Sequence, residues 1–247
     1  MPDFWQFVVQ NWPRPEQFWQ EGVLYAIWGG GVLWFSGFLK VCLHLNTGYT
    51  RKIAHFAIFL TAFAIQSAGE MSSLFLFGAI ASLFIAAGLL LGDGNFFYEA
   101  IAREKDRPHQ RYYIVVPYLA TIVGGLLGTW LFGKAALFGY LVAGLGDAAG
   151  EPVGTRWGKH RYSVPALSAV RATRSLEGSA AVWLVSTAAI LGAALLTFDL
   201  PPTPGVLGKV LLIGFVAAVV EAISPHGWDN ATMQLLPAWL ASLLLLP

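Results

Sequence analysis

Eight stretches of this 247-residue chain approach the ~20 apolar residues a helix needs to cross a bilayer, and nothing else in the sequence limits the fold as much. They lie near 22–43, 53–70, 72–91, 112–132, 135–153, 179–198, 206–223 and 231–246; the last is short and contains Pro237. Inside hydrocarbon every backbone N–H and C=O must find a partner within its own segment, so such runs are helical. Period-two alternation is absent, which sets aside a transmembrane barrel. Only 12% of residues are charged and 56% are hydrophobic, where a soluble domain carries about a quarter charged. The expectation is an all-α polytopic bundle of seven or eight transmembrane helices, with residues 1–247 forming one integral membrane domain. Its bundle occupies 22–246. Residues 1–21, rich in Trp and Phe and lacking the positive start of a cleavable leader, read as a retained interfacial segment.

Basic residues orient such a bundle. With eight spans, Lys40, Arg51, Lys52, Arg103, Lys105, Arg107, Arg111, Arg156, Lys159, Arg161, Arg171 and Arg174 share one side, against Arg14, Lys134 and Lys209 on the other. Positive residues favour the cytoplasm, so both termini are expected outside. The net charge of +1 excludes a general nucleic-acid binder. Cys42 is the only cysteine, so neither an intrachain disulfide nor a Cys-based zinc site can form.

The segment "GDAAGEPVGTRWGKH" (146–160) breaks the apolar pattern. Asp147 falls about 12 residues into the fifth span, ~18 Å along the helix, before the chain has cleared the membrane. Glu151 follows one turn later on the same face. Ionisable groups inside spans are costly and usually face a cavity, which makes both acids functional candidates. The glycines at 144, 146, 150, 154 and 158 let a ligand or another backbone come close, and ligand approach is the reading preferred here. For Gly124, Gly125 and Gly128 helix packing is preferred.

Two loops on the same side add polar groups. Lys159, Arg161, Arg171 and Arg174 precede a Gly-Ser turn, a combination suited to phosphate oxygens. "REKDRPHQR" (103–111) has mixed charges and no glycine-rich partner, so it reads as an orienting loop that touches lipid heads. Between the last two spans, Glu221, His226, Asp229 and Asn230 are oxygen and nitrogen donors. With Asp147, they suit Mg²⁺, which takes one or two carboxylates plus substrate phosphates. Acids and basic loops at a lipid interface point to phosphate chemistry on a lipid, where positioning and charge neutralisation carry the rate. A P-loop is excluded, because "GTRWGKH" has three residues between its glycines instead of four and ends in His.

Three stretches in this order, "RKIAHF" (51–56), "GDAAGEPVGTRWGKHRY" with "RSLEGSAA" (174–181), and "VVEAIS" with "DNATMQLLP" (229–237), resemble the polyprenol kinase family, which includes dolichol and phytol kinases. The resemblance covers most of residues 51–240. It implies a multi-spanning membrane enzyme that transfers a phosphoryl group from CTP to a long isoprenoid alcohol with a divalent cation. By position, Asp147 would be the central carboxylate for metal or phosphate, joined by Glu221 and Asp229 as metal ligands. Lys159, Arg174, Ser175, Glu177 and Gly178 would form the nucleotide loop, with Gly154, Arg161 and Arg171 beside it. Asp147, Asp229 and Glu177 would serve the chemistry, Asn230 would complete the nucleotide site, and Arg51, Lys52 and His55 would line its edge.

The pattern departs from the family at three points. Arg174 stands where many relatives have Lys, Glu151 where a small apolar residue is common, and the connection from His160 to Arg174 is longer than in dolichol kinases. The nearer resemblance is to phytol kinases. Two other functions compete. A phosphatidate cytidylyltransferase also joins CTP to a membrane lipid, but after "SPHGWDN" its second Asp is missing. A transporter would couple ions through the intramembrane acids, but inverted repeats and broken midplane helices are not evident.

Overall fold

The computed structural model describes residues 3–166 and 172–246. Its helices follow the apolar runs, and 79% of the described residues are helical, which confirms the all-α class apart from one short ribbon. Five helical segments are long and apolar enough to cross a membrane by length and composition. The chain divides into two compact units, residues 1–114 and 115–247.

In the first unit, α1 (Phe4–Gln10) and the single turn α2 (Pro15–Gln17) lead through a π-turn, Phe18–Gly22, into α3 (Val23–Val41). The helical run therefore starts at Pro15, seven residues before the expected start of the bundle at 22. Polar residues there hid the start from a hydropathy reading. Gln17 is buried, and its amide donates to Ser72 Oγ at 2.9 Å and Ser73 Oγ at 3.3 Å. Trp5, Trp12 and Trp19 are exposed, as interfacial anchors are.

Helices α4 (Thr47–Ser67) and α5 (Met71–Leu91) and the short α6 (Phe96–Glu99) pack on α3. Asn46 caps α4 by accepting from the Gly48 N–H at 2.8 Å. Charges in the 103–111 loop neutralise one another or nearby groups. Arg103 Nε meets Asp106 at 2.6 Å, and Lys40 Nζ lies 2.6 Å from Glu99 and 2.8 Å from Glu104.

The boundary between units falls inside α7 (Gln110–Phe132). The segment Gln110–Trp157 is helical almost throughout, yet it is two helices rather than one. Gly133 takes φ +53°, and beyond it the Tyr140 hydroxyl lies 2.8 Å from Thr129 and donates to Gly125 O at 3.4 Å. Residues 125 and 140 would stand ~22 Å apart along a straight helix, so the chain folds back at Gly133. That reversal separates the two runs read as spans 112–132 and 135–153.

After the turn come α8 (Ala136–Leu141), a π-turn (Val142–Gly146) and α9 (Asp147–Trp157) in one continuous run. All six residues of α8 are buried, as befits a helix apolar on every side at the centre of its unit. Against it pack α10 (Leu176–Leu196) and α12 (Asp229–Leu244), with α11 (Pro204–Ile223) packed on both of them. Thr203 caps α11, with Pro204 as its first residue.

A feature absent from the sequence reading joins α9 to α10. Strands β1 (Arg161–Val164) and β2 (Ala172–Ser175) form an antiparallel ribbon in the register Arg161↔Ser175, Tyr162↔Arg174, Ser163↔Thr173 and Val164↔Ala172. Four-residue strands are too short to reveal themselves by alternation. Arg171 lies outside the described residues.

Candidate active site

Arg174 is the centre of the polar cluster in the second unit. Its Nε lies 2.6 Å from Glu221 Oε1 and its Nη2 2.6 Å from Asp229 Oδ2. All three side chains are nearly buried, at 12%, 9% and 13% exposed, so these are desolvated ion pairs. The strand β2 holds the guanidinium, the last turn of α11 supplies Glu221, and the first turn of α12 supplies Asp229. A carboxylate at a helix N-terminus is further favoured by the helix dipole. The backbone N–H of His226 donates to Pro165 O at 2.8 Å, which ties the α11–α12 turn to the ribbon.

Ser175 ends β2 and caps α10, its hydroxyl accepting from the Gly178 N–H at 3.1 Å. Glu177, in the first turn of α10, reaches back to His160. Its Oε1 lies 2.7 Å from Nδ1, and both carboxylate oxygens accept from the His160 N–H at 3.3 Å. The carboxylate assigned to chemistry thus clamps the end of the α9 loop onto the start of α10. Lys159 and Arg161 are exposed. Residues alternate sides along a strand, so Arg161 and Ser175 share one face of the ribbon while Tyr162 and Arg174 share the other. Arg161 and Arg174 therefore do not converge on one phosphate from the same face.

The glycines around Asp147 are largely explained by packing, which corrects the preference for ligand approach. A Cβ at Gly150 would meet Val182 Cγ2 at 2.7 Å, one at Gly154 would meet Ser175 Oγ at 3.0 Å, and one at Gly146 would collide with Ser186 Oγ. Residues 146, 150 and 154 make a seam along the π-turn and α9 that lets α10 approach closely, with Gly178 opposite Gly150 and Gly154. Gly124 likewise admits Gln234 and Ala231 of α12.

Asp147 stands midway along the run Ala136–Trp157, directly after the π-turn, and is half-buried, as is Glu151. Single π-turns inside α-helices frequently mark functional positions. Asn230 has a structural task. Its amide nitrogen donates to Pro117 O at 3.1 Å and Thr121 Oγ1 at 2.9 Å, which uses both amide hydrogens to hold α12 to α7. Arg51, Lys52 and His55 lie together near the start of α4 in the first unit, with Lys52 buried and the His55 ring tilted at 50° to that of Phe59, centroids 4.8 Å apart.

No group of three or more His, Cys, Asp or Glu side chains suited to a metal occurs among the described residues. Glu221 and Asp229 are both engaged with Arg174. What remains open to a divalent cation is the sparser arrangement, an ion held mainly by nucleotide phosphates that meets one carboxylate.

Tyr162, which nothing in the sequence singled out, stands opposite Arg174 in the ribbon. Its hydroxyl lies 2.6 Å from Ser179 Oγ. Burial, aided by the nearby Glu221 charge, holds its pKa above the ordinary tyrosine value against the Ser179 hydrogen bond and Arg174. The phenol is therefore neutral at physiological pH and able to donate. Only the cross-strand register puts Tyr162 beside Arg174, and no local pattern signals it.

No family model matches the chain, and no solved structure does. A phytol kinase from Synechocystis sp. is 29% identical to it over 248 aligned residues, covering 96% of this chain and 98% of that one. That match runs through all three motif regions and nearly the whole of both chains, and it supports assigning this chain to the polyprenol and phytol kinase family.

Proposed function

We propose that this chain is a membrane-embedded kinase that transfers the γ-phosphoryl group of CTP to the hydroxyl of an isoprenoid alcohol of the phytol type. The nearly buried Arg174, gripped by two carboxylates in a chain similar end to end to a phytol kinase, is the observation that carries the reading. A guanidinium fork suits two phosphate oxygens as well as it suits two carboxylates. The nucleotide's phosphates compete for Arg174 and free Glu221 and Asp229 to face the reacting groups. In the transfer, the alcohol oxygen bonds to the γ-phosphorus and the bond to the β,γ-bridging oxygen breaks. CDP departs, and the hydroxyl proton passes to a carboxylate. Asp147 is the candidate for holding the phosphate-bound Mg²⁺.

In the eight-span arrangement expected from the sequence, with both termini outside, these loops would lie at the cytoplasmic face, and the split of twelve basic residues against three supports that orientation. The test is turnover by purified protein with labelled nucleotide and phytol. CTP should outperform ATP, and CDP should be the product. Equal rates with both donors would refute the CTP assignment. Pyrophosphate release would indicate a cytidylyltransferase instead, and no turnover with either donor would favour a transporter.

A further inference from the structure

Between α10 and α11 of the second unit runs a groove of about 330 Å³ with almost wholly apolar walls. Tyr162 and Ser179, whose hydroxyls are hydrogen-bonded to each other at 2.6 Å, line its upper end. Ala180, Ala218 and Ala222 leave space along its length. Trp183 and Phe215 close its lower end, their rings edge to face with centroids 5.9 Å apart. The Trp183 indole N–H donates to Leu211 O at 3.3 Å, which fixes the ring across both helices. Ser179 to Trp183 is one helical turn and Ala222 to Phe215 is two, so the groove descends roughly 6–10 Å from hydroxyls to aromatics.

We propose that this groove seats the first isoprene units of the lipid alcohol and that the Tyr162–Ser179 pair receives its hydroxyl; the inference rests on the kinase reading above. The occupant follows from the two ends. Two hydroxyls sharing one hydrogen bond keep a second O–H and spare lone pairs, so together they can both donate to and accept from an alcohol. Tyr162 lies directly across the ribbon from Arg174, which holds Glu221 and Asp229. An alcohol on the hydroxyl pair thus lies next to the charged cluster. A diacyl phospholipid would need a wide head site and two chain slots, whereas this groove is small and hydroxyl-bearing side chains border it at one end only. Exposed Phe215 and Val219 leave its flank open, so a chain can enter sideways from the bilayer.

The experiment has a kinetic arm and a binding arm. Ala218→Leu, which fills the groove, should raise the KM for phytol at least ~10-fold and leave the KM for CTP unchanged, while a five-carbon prenol is much less affected. Tyr162→Phe should weaken use of both alcohols. In the binding arm, the parent protein without nucleotide is irradiated with an isoprenoid alcohol carrying a diazirine midway along its chain. Labelled peptides containing Trp183 or Phe215, suppressed by excess phytol and not by phosphatidylcholine, are the expected result. Label spread evenly over the other lipid-facing helices would overturn the proposal, as would an unchanged phytol KM in Ala218→Leu. If the parent has no kinase turnover, the activity assignment falls, and the labelling pattern alone still decides whether the groove binds the alcohol.

Discussion

Replacing Arg174 by Met tests the central cluster most directly. The guanidinium makes two 2.6 Å ion pairs with side chains at most 13% exposed. Breaking a buried pair by removing one partner costs about 3–5 kcal/mol, because the other charge stays buried without compensation. Here two carboxylates lose their partner together and also repel one another, while proton uptake by one of them limits the cost. For a chain of this size each kcal/mol shifts Tm by about 2–4 °C, so the expected fall is roughly 6–20 °C. Thermal unfolding in detergent at one fixed scan rate measures it. The triple variant Arg174→Met, Glu221→Gln, Asp229→Asn should recover most of the loss, since it leaves no buried charge behind. Arg174→Lys should fall between, because one ammonium cannot reproduce the two-pronged geometry. An Arg174→Met protein that melts within about 4 °C of the parent would refute the argument, because these pairs would then be worth no more than exposed ones.

Asp147→Asn should insert and purify like the parent but lose at least ~100-fold in turnover, as expected when a key charge-stabilising group is removed. Lys134→Gln, on the opposite side in the eight-span topology, should leave turnover nearly untouched, and half-activity in Asp147→Asn would remove that residue from the site. Gly178→Ala would set a Cβ 2.9 Å from Gly150 O, a backbone atom, and should cost about 1–3 kcal/mol of stability. Gly192→Ala, with nothing near its Cβ position, should instead hold or raise Tm. Chelation by EDTA should abolish turnover and added Mg²⁺ restore it, whereas full activity in chelator would exclude the divalent cation.

Much of the backbone follows from local rules and was readable in advance. The apolar runs became helices because no other conformation satisfies their backbone groups away from water. Ser175 and Thr203 sit where helices begin because their hydroxyls accept from the first free N–H groups. The reversal at Gly133 was implied by the break between two apolar runs, since glycine accepts the positive φ the turn needs. The start at Pro15 was not readable, because the partners of Gln17 lie 55 and 56 residues away.

The chemistry of the site depended on distances that no local rule sets. The sequence alone marks Asp147, Arg174, Glu221 and Asp229 as charged residues in or beside apolar segments, where an ion needs a reason to exist. It does not say that Arg174 takes both of the later acids. That pairing arises only when the β1–β2 ribbon carries the guanidinium to the meeting point of α11 and α12. The same ribbon turns Arg161 to the opposite face and sets Tyr162 beside Arg174. The glycines of α9 look equally suited to a ligand or a helix until α10 is found against them. Local sequence fixes which backbone groups and side chains must be satisfied; the tertiary structure decides which partner satisfies each, because desolvated charges and close helix contacts are set by neighbours far along the chain.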